Sequence, residues 1–144
     1  MSDGVTVLLA DADSEARASV RRSLESVGMH VVAEAGDTEE AVELALEFRP
    51  TVCVIDLHAD DRSGLGAAAV LARVLDETNV VLLADDLTIA DVLDAVRVGA
   101  AGCLSKLAGA DALAAAIAAA AAGEAAFPRR ELRQALGFLV PQVA

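Results

Sequence analysis

The chain is 144 residues long and carries a formal net charge of −12, so its length suits one domain with its own core. The acidity argues against direct binding of nucleic acid or an anionic membrane surface, because both need a basic face. Cys53 and Cys103 fall in apolar runs, which indicates buried thiols rather than a disulfide framework. The N-terminus lacks the basic region of a signal peptide, and the alanine-rich stretch 110–122 is too short to span a bilayer, so we expect a cytoplasmic protein.

Apolar runs alternate with amphipathic segments along the chain. Runs typical of buried strands lie at 5–10, 30–34, 52–55, 79–84 and 102–104. Helical periodicity follows each of them, at 14–27, 38–49, about 65–76, 89–98 and 110–122. Five β–α units in a row predict an α/β fold: a doubly wound, five-stranded parallel sheet in the order 2-1-3-4-5 with helices on both faces.

Local signals indicate where several of these elements begin and end. Asp37 and Glu40 predict a capping box, Thr88 predicts a helix N-cap, and the polar residues 59–64 predict a loop before the third helix. The first helix is expected to bury one apolar face, formed by Ala16, Val20, Leu24 and Val27. The predicted strands and helices thus have distinct boundaries throughout the first 124 residues.

The last twenty residues differ from the rest, because Phe127 and Pro128 interrupt the alanine-rich helix. Residues 129–140 predict a separate amphipathic helix. One side carries Leu132, Leu136 and Leu139, and the opposite side carries Arg129, Arg130 and Arg133. We therefore divide the chain into a domain at 1–124 and a C-terminal linker or dimerisation helix at 125–144. Packing of this helix on its own domain and a role as a connector or dimer helix both remain open.

Three polar residues come directly after predicted strands. Asp11 follows the first strand, Asp56 closes the third, and Lys106 follows the fifth. The carboxyl ends of parallel strands share one edge of the sheet, which is where ligands bind in open α/β folds. Two carboxylates and one ammonium group at that edge would suit a divalent metal ion together with a phosphoryl group.

Short motifs in a fixed order cover about residues 5–124. They are Val7-Leu-Leu-Ala-Asp11, Glu34-Ala-Gly-Asp37, Arg49-Pro50, Ile55-Asp56-Leu57, Gly64-Leu65 and Gly99-Ala-Ala-Gly-Cys-Leu-Ser-Lys106. This set resembles the receiver domain of bacterial two-component response regulators, and most closely the subtype that precedes a LuxR-type helix-turn-helix. The resemblance implies a flavodoxin-like fold and a role in phosphorelay signal transduction.

The resemblance also implies roles for individual residues. Asp56 matches the aspartate that accepts a phosphoryl group from a histidine kinase, and a labile acyl phosphate would suit a timed switch. Asp11 matches the first of two acids that organise Mg²⁺, and the backbone carbonyl of His58 matches a further metal ligand. Lys106 matches the lysine that pairs with the acceptor or its phosphate. The implied metal ligands are therefore Asp11, Asp56 and the His58 carbonyl.

Several positions depart from the family pattern. Ala12 replaces the second acid, Ala84 replaces a hydroxyl-bearing Ser or Thr, and Cys103 replaces the aromatic switch residue. A methyl group cannot bind a metal, so we expect Mg²⁺ binding and phosphorylation of Asp56 to be weak or absent. Two roles are open for Asp13: compensation for the missing acid in the pocket, or an N-cap of the first helix.

These observations favour a non-enzymatic receiver domain, an atypical member of a transcription regulator, which forms a homodimer. Too few residues follow Gly123 for a helix-turn-helix, so DNA binding would need a domain outside this chain. One alternative is an interaction or dimerisation module that works without phosphorylation. Another is a haloacid-dehalogenase-like phosphatase, since Asp11-Ala12-Asp13 resembles that family's Asp-x-Asp motif. Phosphatase turnover that is lost in Asp11→Asn would indicate the latter.

Overall fold

Five parallel strands form a single sheet in the computed structural model, which describes residues 4–140, with 59–62 described by backbone alone. Their order across the sheet is β2-β1-β3-β4-β5, which confirms the predicted topology. The strands are β1 Thr6–Ala10, β2 His30–Ala35, β3 Val52–Asp56, β4 Asn79–Ala84 and β5 Gly102–Ser105. This flavodoxin-like order makes β1 and β3 neighbours and leaves β2 and β5 at the edges of the sheet.

Helices cover both faces of the sheet, and one extra helix follows the last β–α unit. The helices are α1 Ser14–Glu25, α2 Thr38–Phe48, α3 Ala59–Val74, α4 Ile89–Arg97, α5 Ala110–Ala121 and α6 Arg129–Gly137, with a short 3-10 turn at Lys106–Ala108. α1 and α5 pack on one face, whereas α2, α3, α4 and α6 pack on the other. None of these helices is long and apolar enough to cross a membrane.

The strands are continuous apolar runs because both of their faces are buried. In β1, Val7 and Leu9 face the layer of α1 and α5, while Leu8 and Ala10 face the layer of α2, α3 and α4. All four side chains are buried. Strands in a sheet that is buried on both sides do not alternate between apolar and polar residues. In such a sequence, strands are recognised by the length of the apolar run and by the polar residues that flank it.

The helix caps follow the sequence signals with one change. The Asp37 side chain accepts a hydrogen bond from the Glu40 backbone N–H at 2.8 Å, as expected for an N-cap. The Glu40 carboxylate, however, accepts from the backbone N–H of Gly36 instead of Asp37, also at 2.8 Å. Thr88 and Asp91 form the complete reciprocal capping box, at the start of α4.

The first helix is shorter than predicted. It ends at Glu25, and Val27 is 46% exposed instead of lying on the buried face. The backbone N–H of Val27 bonds to the Leu24 carbonyl in a turn, and Gly28 follows with a φ of 87°. The chain therefore leaves the helix before Val27 reaches the core, and a left-handed glycine then leads it into β2.

The predicted loop at 59–64 is wrong, because α3 already begins at Ala59. A Cβ placed at Gly64 would lie under 3.0 Å from the carbonyl oxygens of Asp56 and Leu57. Gly64 thus allows the first turns of α3 to pass directly over the end of β3, and it is a packing residue rather than a turn residue.

The C-terminal helix is shorter than predicted and buries part of its apolar side. It ends at Gly137, and its fully buried side chain is Ala135. Leu132 is half-buried and packs on the core, whereas Leu136 and Leu139 are exposed. Because α6 lies close against α4, only a small side chain fits at the centre of the contact.

Both cysteines are free and buried, as expected. Burial raises the pKa of the Cys53 thiol and of the Cys103 thiol to about 12. A thiol must ionise to react with an electrophile, so both are held in the unreactive form near neutral pH.

We expect Gly64→Ala to lower the free energy of unfolding by about 1–3 kcal/mol, because the added methyl group must push α3 away from the end of β3. Gly66→Ala is the matched control in the same helix: a Cβ there meets no atom within 4 Å. It should leave stability unchanged or raise it by up to about 1 kcal/mol. Urea denaturation measures both, and equal effects of the two substitutions would contradict the close contact.

Candidate functional site

The ends of three strands bring the predicted polar residues together. Asp11 directly follows β1 and Asp56 is the last residue of β3, and the two strands are paired so that Ala10 lies opposite Ile55. The two carboxylates therefore occupy adjacent places on one edge of the sheet. Lys106 comes from the first position after β5, which is separated from β3 by β4. Only a long side chain can cover that distance.

Lys106 joins the two carboxylates. Its Nζ donates to Asp11 Oδ2 and to Asp56 Oδ2, both at 2.9 Å. The side chains are 16% exposed for Asp11, 18% for Asp56 and 23% for Lys106. The largely exposed Asp85 carboxylate lies 4.0 Å from the same ammonium group. The pocket thus carries a surplus of negative charge around one shielded cation.

Two opposing effects act on the pKa of the Lys106 ammonium group. Burial by itself lowers the pKa of the Lys106 ammonium, but the hydrogen bonds to Asp11 and Asp56 outweigh this effect. The pKa is consequently raised above its ordinary value. Lys106 therefore remains a cation throughout the physiological range and neutralises part of the charge at the edge of the sheet.

Backbone donors hold the other oxygen of each carboxylate. The Asp13 N–H donates to Asp11 Oδ1 at 2.9 Å, and the His58 N–H donates to Asp56 Oδ1 at 3.0 Å. Each carboxylate is thus fixed on one side by the chain that follows it and on the other by Lys106. This arrangement pre-orients both groups.

The Asp13 side chain is the N-cap of α1. Its Oδ1 accepts hydrogen bonds from the backbone N–H groups of Glu15, at 3.0 Å, and Ala16, at 3.2 Å. Of the two roles left open by the sequence, this geometry is that of the cap. The carboxylate oxygen is committed to the helix terminus, where the helix dipole also favours a negative charge.

The residues of the pocket fit a magnesium ion poorly. Mg²⁺ prefers several hard oxygen ligands in octahedral geometry. Asp11 and Asp56 offer two carboxylates, but both are tied to Lys106, and position 12 offers only a methyl group. Among the side chains that the structure describes, no group of three or more His, Cys, Asp or Glu residues is placed to hold a metal ion.

The positions expected to report a switch lie behind the pocket. Ala84 ends β4 and Cys103 lies in β5, and both are completely buried. Ser105 then caps the 3-10 turn by accepting from the Leu107 N–H at 3.1 Å. This cap holds Lys106 at the start of the turn, a role for Ser105 that was not predicted from the sequence.

A contact between His58 and α4 was also missed. The His58 imidazole Nε2 lies 3.8 Å from Asp91 Oδ2, and Asp91 is almost completely buried at the start of α4. His58 belongs to the segment directly after Asp56, so this contact connects the acceptor end of β3 with α4. The Thr88-x-x-Asp91 pattern could have revealed the cap, but nothing local to the sequence indicates that His58 lies beside it.

A second ionic cluster ties α1 to the site. Arg17 and Arg21 both pair with Glu34 on β2, and Arg17 also donates to the main-chain carbonyl of Asp11. Burial raises the pKa of the Glu34 carboxyl, but the hydrogen bonds from the two arginines outweigh it, so the pKa is lowered. The carboxylate therefore stays ionised and holds α1 beside the end of β1.

One side of the pocket remains open. A cavity of about 260 Å³ lies beside Asp11 and Lys106, between α1 and α5, and Leu83 and Leu104 form part of its lining. The pocket is therefore accessible to small molecules from the side of α1 and α5.

Known proteins share the sequence pattern and the fold of this chain. Residues 7–118 match the family model of the response regulator receiver domain. The chain belongs to the receiver-domain family of response regulators. It is 35% identical over 126 residues to the transcriptional regulatory protein YxjL from Bacillus subtilis, covering 87% of this chain and 58% of that protein. The chain thus spans little more than half the length of this curated relative.

Solved structures place this receiver domain in the LuxR type. The signal receiver domain of the response regulator NarL from Mycobacterium tuberculosis is 30% identical, with a TM-score of 0.79, covering 83% of this chain and 98% of that one. A LuxR-family two-component response regulator from an Aurantimonas species is 27% identical, with a TM-score of 0.83, covering 93% and 96% of the two chains. The expected family and subtype are therefore confirmed.

We expect Lys106→Met to destabilise this receiver by roughly 1–2 kcal/mol, because two adjacent carboxylates lose the cation between them. Adding Asp56→Asn to Lys106→Met should recover part of the loss, since it removes the repulsion with Asp11. Denaturant unfolding of the two single variants and the double variant gives this comparison. Strictly additive effects would contradict a shared ionic cluster.

The effect of Lys106 should also depend on pH. Its pKa in the folded protein is raised above the ordinary 10.5, so its stabilising contribution is fully present below 10.5 and is lost as pH rises through the folded-state pKa. The stability difference between the wild type and Lys106→Met should therefore be constant near neutral pH and shrink above 10.5. A difference that grows with alkaline pH would contradict this linkage.

Proposed function

We propose that this receiver domain is the signal-receiving part of a transcription regulator and that phosphorylation of Asp56 in it is weak or absent. The main support is the geometry of Lys106, whose ammonium joins Asp56 to Asp11 at 2.9 Å on each side, with a methyl group at position 12. The acceptor is present and oriented, but the second acid that would attract a metal ion is missing.

Electrostatics give the physical reason for slow phosphorylation. An incoming phosphoryl donor is negatively charged, and the pocket already carries the charges of Asp11, Asp56 and the nearby Asp85. One ammonium group neutralises only part of this charge. Without a firmly held divalent cation, the charge that develops on the transferring group is poorly compensated. Mg²⁺ binding should accordingly be weak or absent.

The partners follow from the family and from the relatives. A histidine kinase is the expected phosphodonor if Asp56 is used at all. The transcriptional role named for YxjL supports a transcription regulator, whose cytoplasmic location and DNA binding through a domain other than this receiver are part of the proposal. The small-residue surface of α5 suits close packing between two chains, which supports a homodimer.

Interaction without phosphorylation is the second candidate function. Ala84 has no hydroxyl group to bond a phosphoryl oxygen, and Cys103 has no aromatic ring to change position. A phosphoryl group on Asp56 would thus lack the usual partners that favour one conformation over another. A constitutive dimerisation or docking module, without enzymatic activity, is consistent with both departures.

We expect this chain to bind Mg²⁺ with a dissociation constant above about 1 mM, since the pocket has one hard ligand fewer than the family pattern. Ala12→Asp should tighten binding by about tenfold or more, because it restores a carboxylate beside Asp11. Titration followed by NMR or calorimetry measures both proteins, with Ala12→Asn as a control of similar size. Sub-millimolar binding by the wild type would contradict the proposal.

Phosphorylation itself can be followed with a small acyl-phosphate donor and intact-protein mass spectrometry. We expect slow, substoichiometric labelling of the wild type and no labelling of Asp56→Asn. Ala12→Asp should label faster, because its metal site is more complete. Rapid stoichiometric labelling of the wild type that disappears in Asp56→Asn would show that the pocket is fully competent.

A further inference from the structure

The segment that follows α5 does not leave the domain. The Ala126 N–H donates to the Ala101 carbonyl at 2.8 Å, and the Cys103 N–H donates to the Ala126 carbonyl at 3.1 Å. Ala126 and Gly102 thus form an isolated parallel bridge beside β5. The chain returns to the open edge of the sheet and satisfies backbone groups that would otherwise face solvent.

Gly102 makes this approach possible. A Cβ placed on Gly102 would lie under 3.0 Å from the carbonyl group and the side chain of Ala126. The backbone of Gly102 lies outside the left-handed region, so other residues could adopt its conformation. The requirement for glycine therefore comes from contact with Ala126 and not from local backbone geometry.

Beyond the bridge to β5, side chains of the segment after α5 also pack against α4. Phe127 and Leu132 are half-buried and pack on the core cluster that contains Val92 of α4 and Cys103 of β5, and Ala135 belongs to that cluster with no exposed surface. We call residues 126–137 the strap. It covers the outer side of the surface formed by α4 and β5.

The strap and its helix depend on each other. α6 has nine residues, which is shorter than the length at which an isolated helix persists in water. α6 should therefore form only while the strap is docked. Because the bridge and the helix contact are joined through Phe127 and Pro128, loss of one weakens the other, and docking should be cooperative.

We propose that the α4–β5 surface of this receiver is a docking surface for its own strap, and that release of the strap is the conformational change by which the domain exposes that surface. This goes beyond the proposed function and does not depend on phosphorylation of Asp56. Phe127 gives this face an aromatic ring next to a strand whose own position 103 has none. The movable group is then a segment of the chain instead of a single side chain.

The two cysteines allow strap release to be measured directly. Both thiols are buried in the same core cluster, but Cys103 lies in the edge strand β5, next to the strap, whereas Cys53 lies in the central strand β3. Release of the strap should expose Cys103 while leaving Cys53 protected until the whole domain unfolds. In the wild type we expect a thiol reagent to modify Cys103 about tenfold or more faster than Cys53, with a weaker dependence on denaturant.

Gly102→Ala adds a methyl group that would clash with Ala126, and it should therefore release the strap. We expect labelling of Cys103 to rise by about tenfold or more over the wild type and to remain faster than labelling of Cys53, which still requires unfolding of the whole domain. Gly66→Ala is the matched control and should change neither rate, since a Cβ there meets no atom within 4 Å. Wild-type rates at both cysteines in Gly102→Ala, with the Ala126 amide still protected from exchange, would overturn the proposal.

A second pair of variants tests the helix contact, and it decides the question if Gly102→Ala fails to fold. Ala135→Asp places a charge in the buried contact, whereas Gln134→Asp places the same charge on the exposed side. We expect only Ala135→Asp to speed labelling of Cys103 and to lower helix content by about one short helix. Equal labelling rates of Cys103 in the two variants, or equal labelling rates of Cys53 and Cys103 within each variant, would overturn the proposal.

These measurements need no phosphodonor, so they stand apart from the test of the proposed function. Failure of phosphorylation leaves the strap result unchanged. Efficient phosphorylation combined with a strap that never opens would overturn the strap proposal and the weak-phosphorylation proposal together.

Discussion

The ammonium group of Lys106 is the interaction on which the functional edge of the sheet depends. The strand order places Asp11 and Asp56 side by side, and two partly buried carboxylates at that separation repel one another. A single cation that bonds to both offsets the repulsion and the cost of burial. The geometry requires β5 on the far side of β4 and a side chain as long as lysine, so the site exists only when the complete sheet has formed.

The same edge combines a complete ionic cluster with small, apolar neighbours. The Asp56 carboxylate, its backbone donor at His58 and Lys106 are in place, whereas Ala12, Ala84 and Cys103 carry no carboxylate, hydroxyl group or aromatic ring. The pocket therefore keeps the contacts that stabilise it as an ionic cluster.

Several contacts in this domain depend on small residues that let two backbone segments approach closely. Gly64 lets α3 pass over the end of β3, and Gly102 lets Ala126 approach β5. Ala135 lets α6 rest against α4. With aromatic residues at 2% of the chain, these close approaches replace the large side chains that fill the cores of many domains. Small residues at such points are easily mistaken for loop or surface positions.

The sequence by itself determined the five apolar runs, the alternating fold, the strand order through the general rule for such sheets, and the three polar residues at the strand ends. These are local patterns, or they follow from the chirality and connectivity of β–α units. The tertiary structure alone decided the contact of His58 with Asp91, the pairing of Arg17 and Arg21 with Glu34, and the return of Ala126 to β5. It also corrected the start of α3 and the end of α6. Each of these depends on residues distant in the chain, and helical or strand periodicity carries no information about which distant surface a segment will meet.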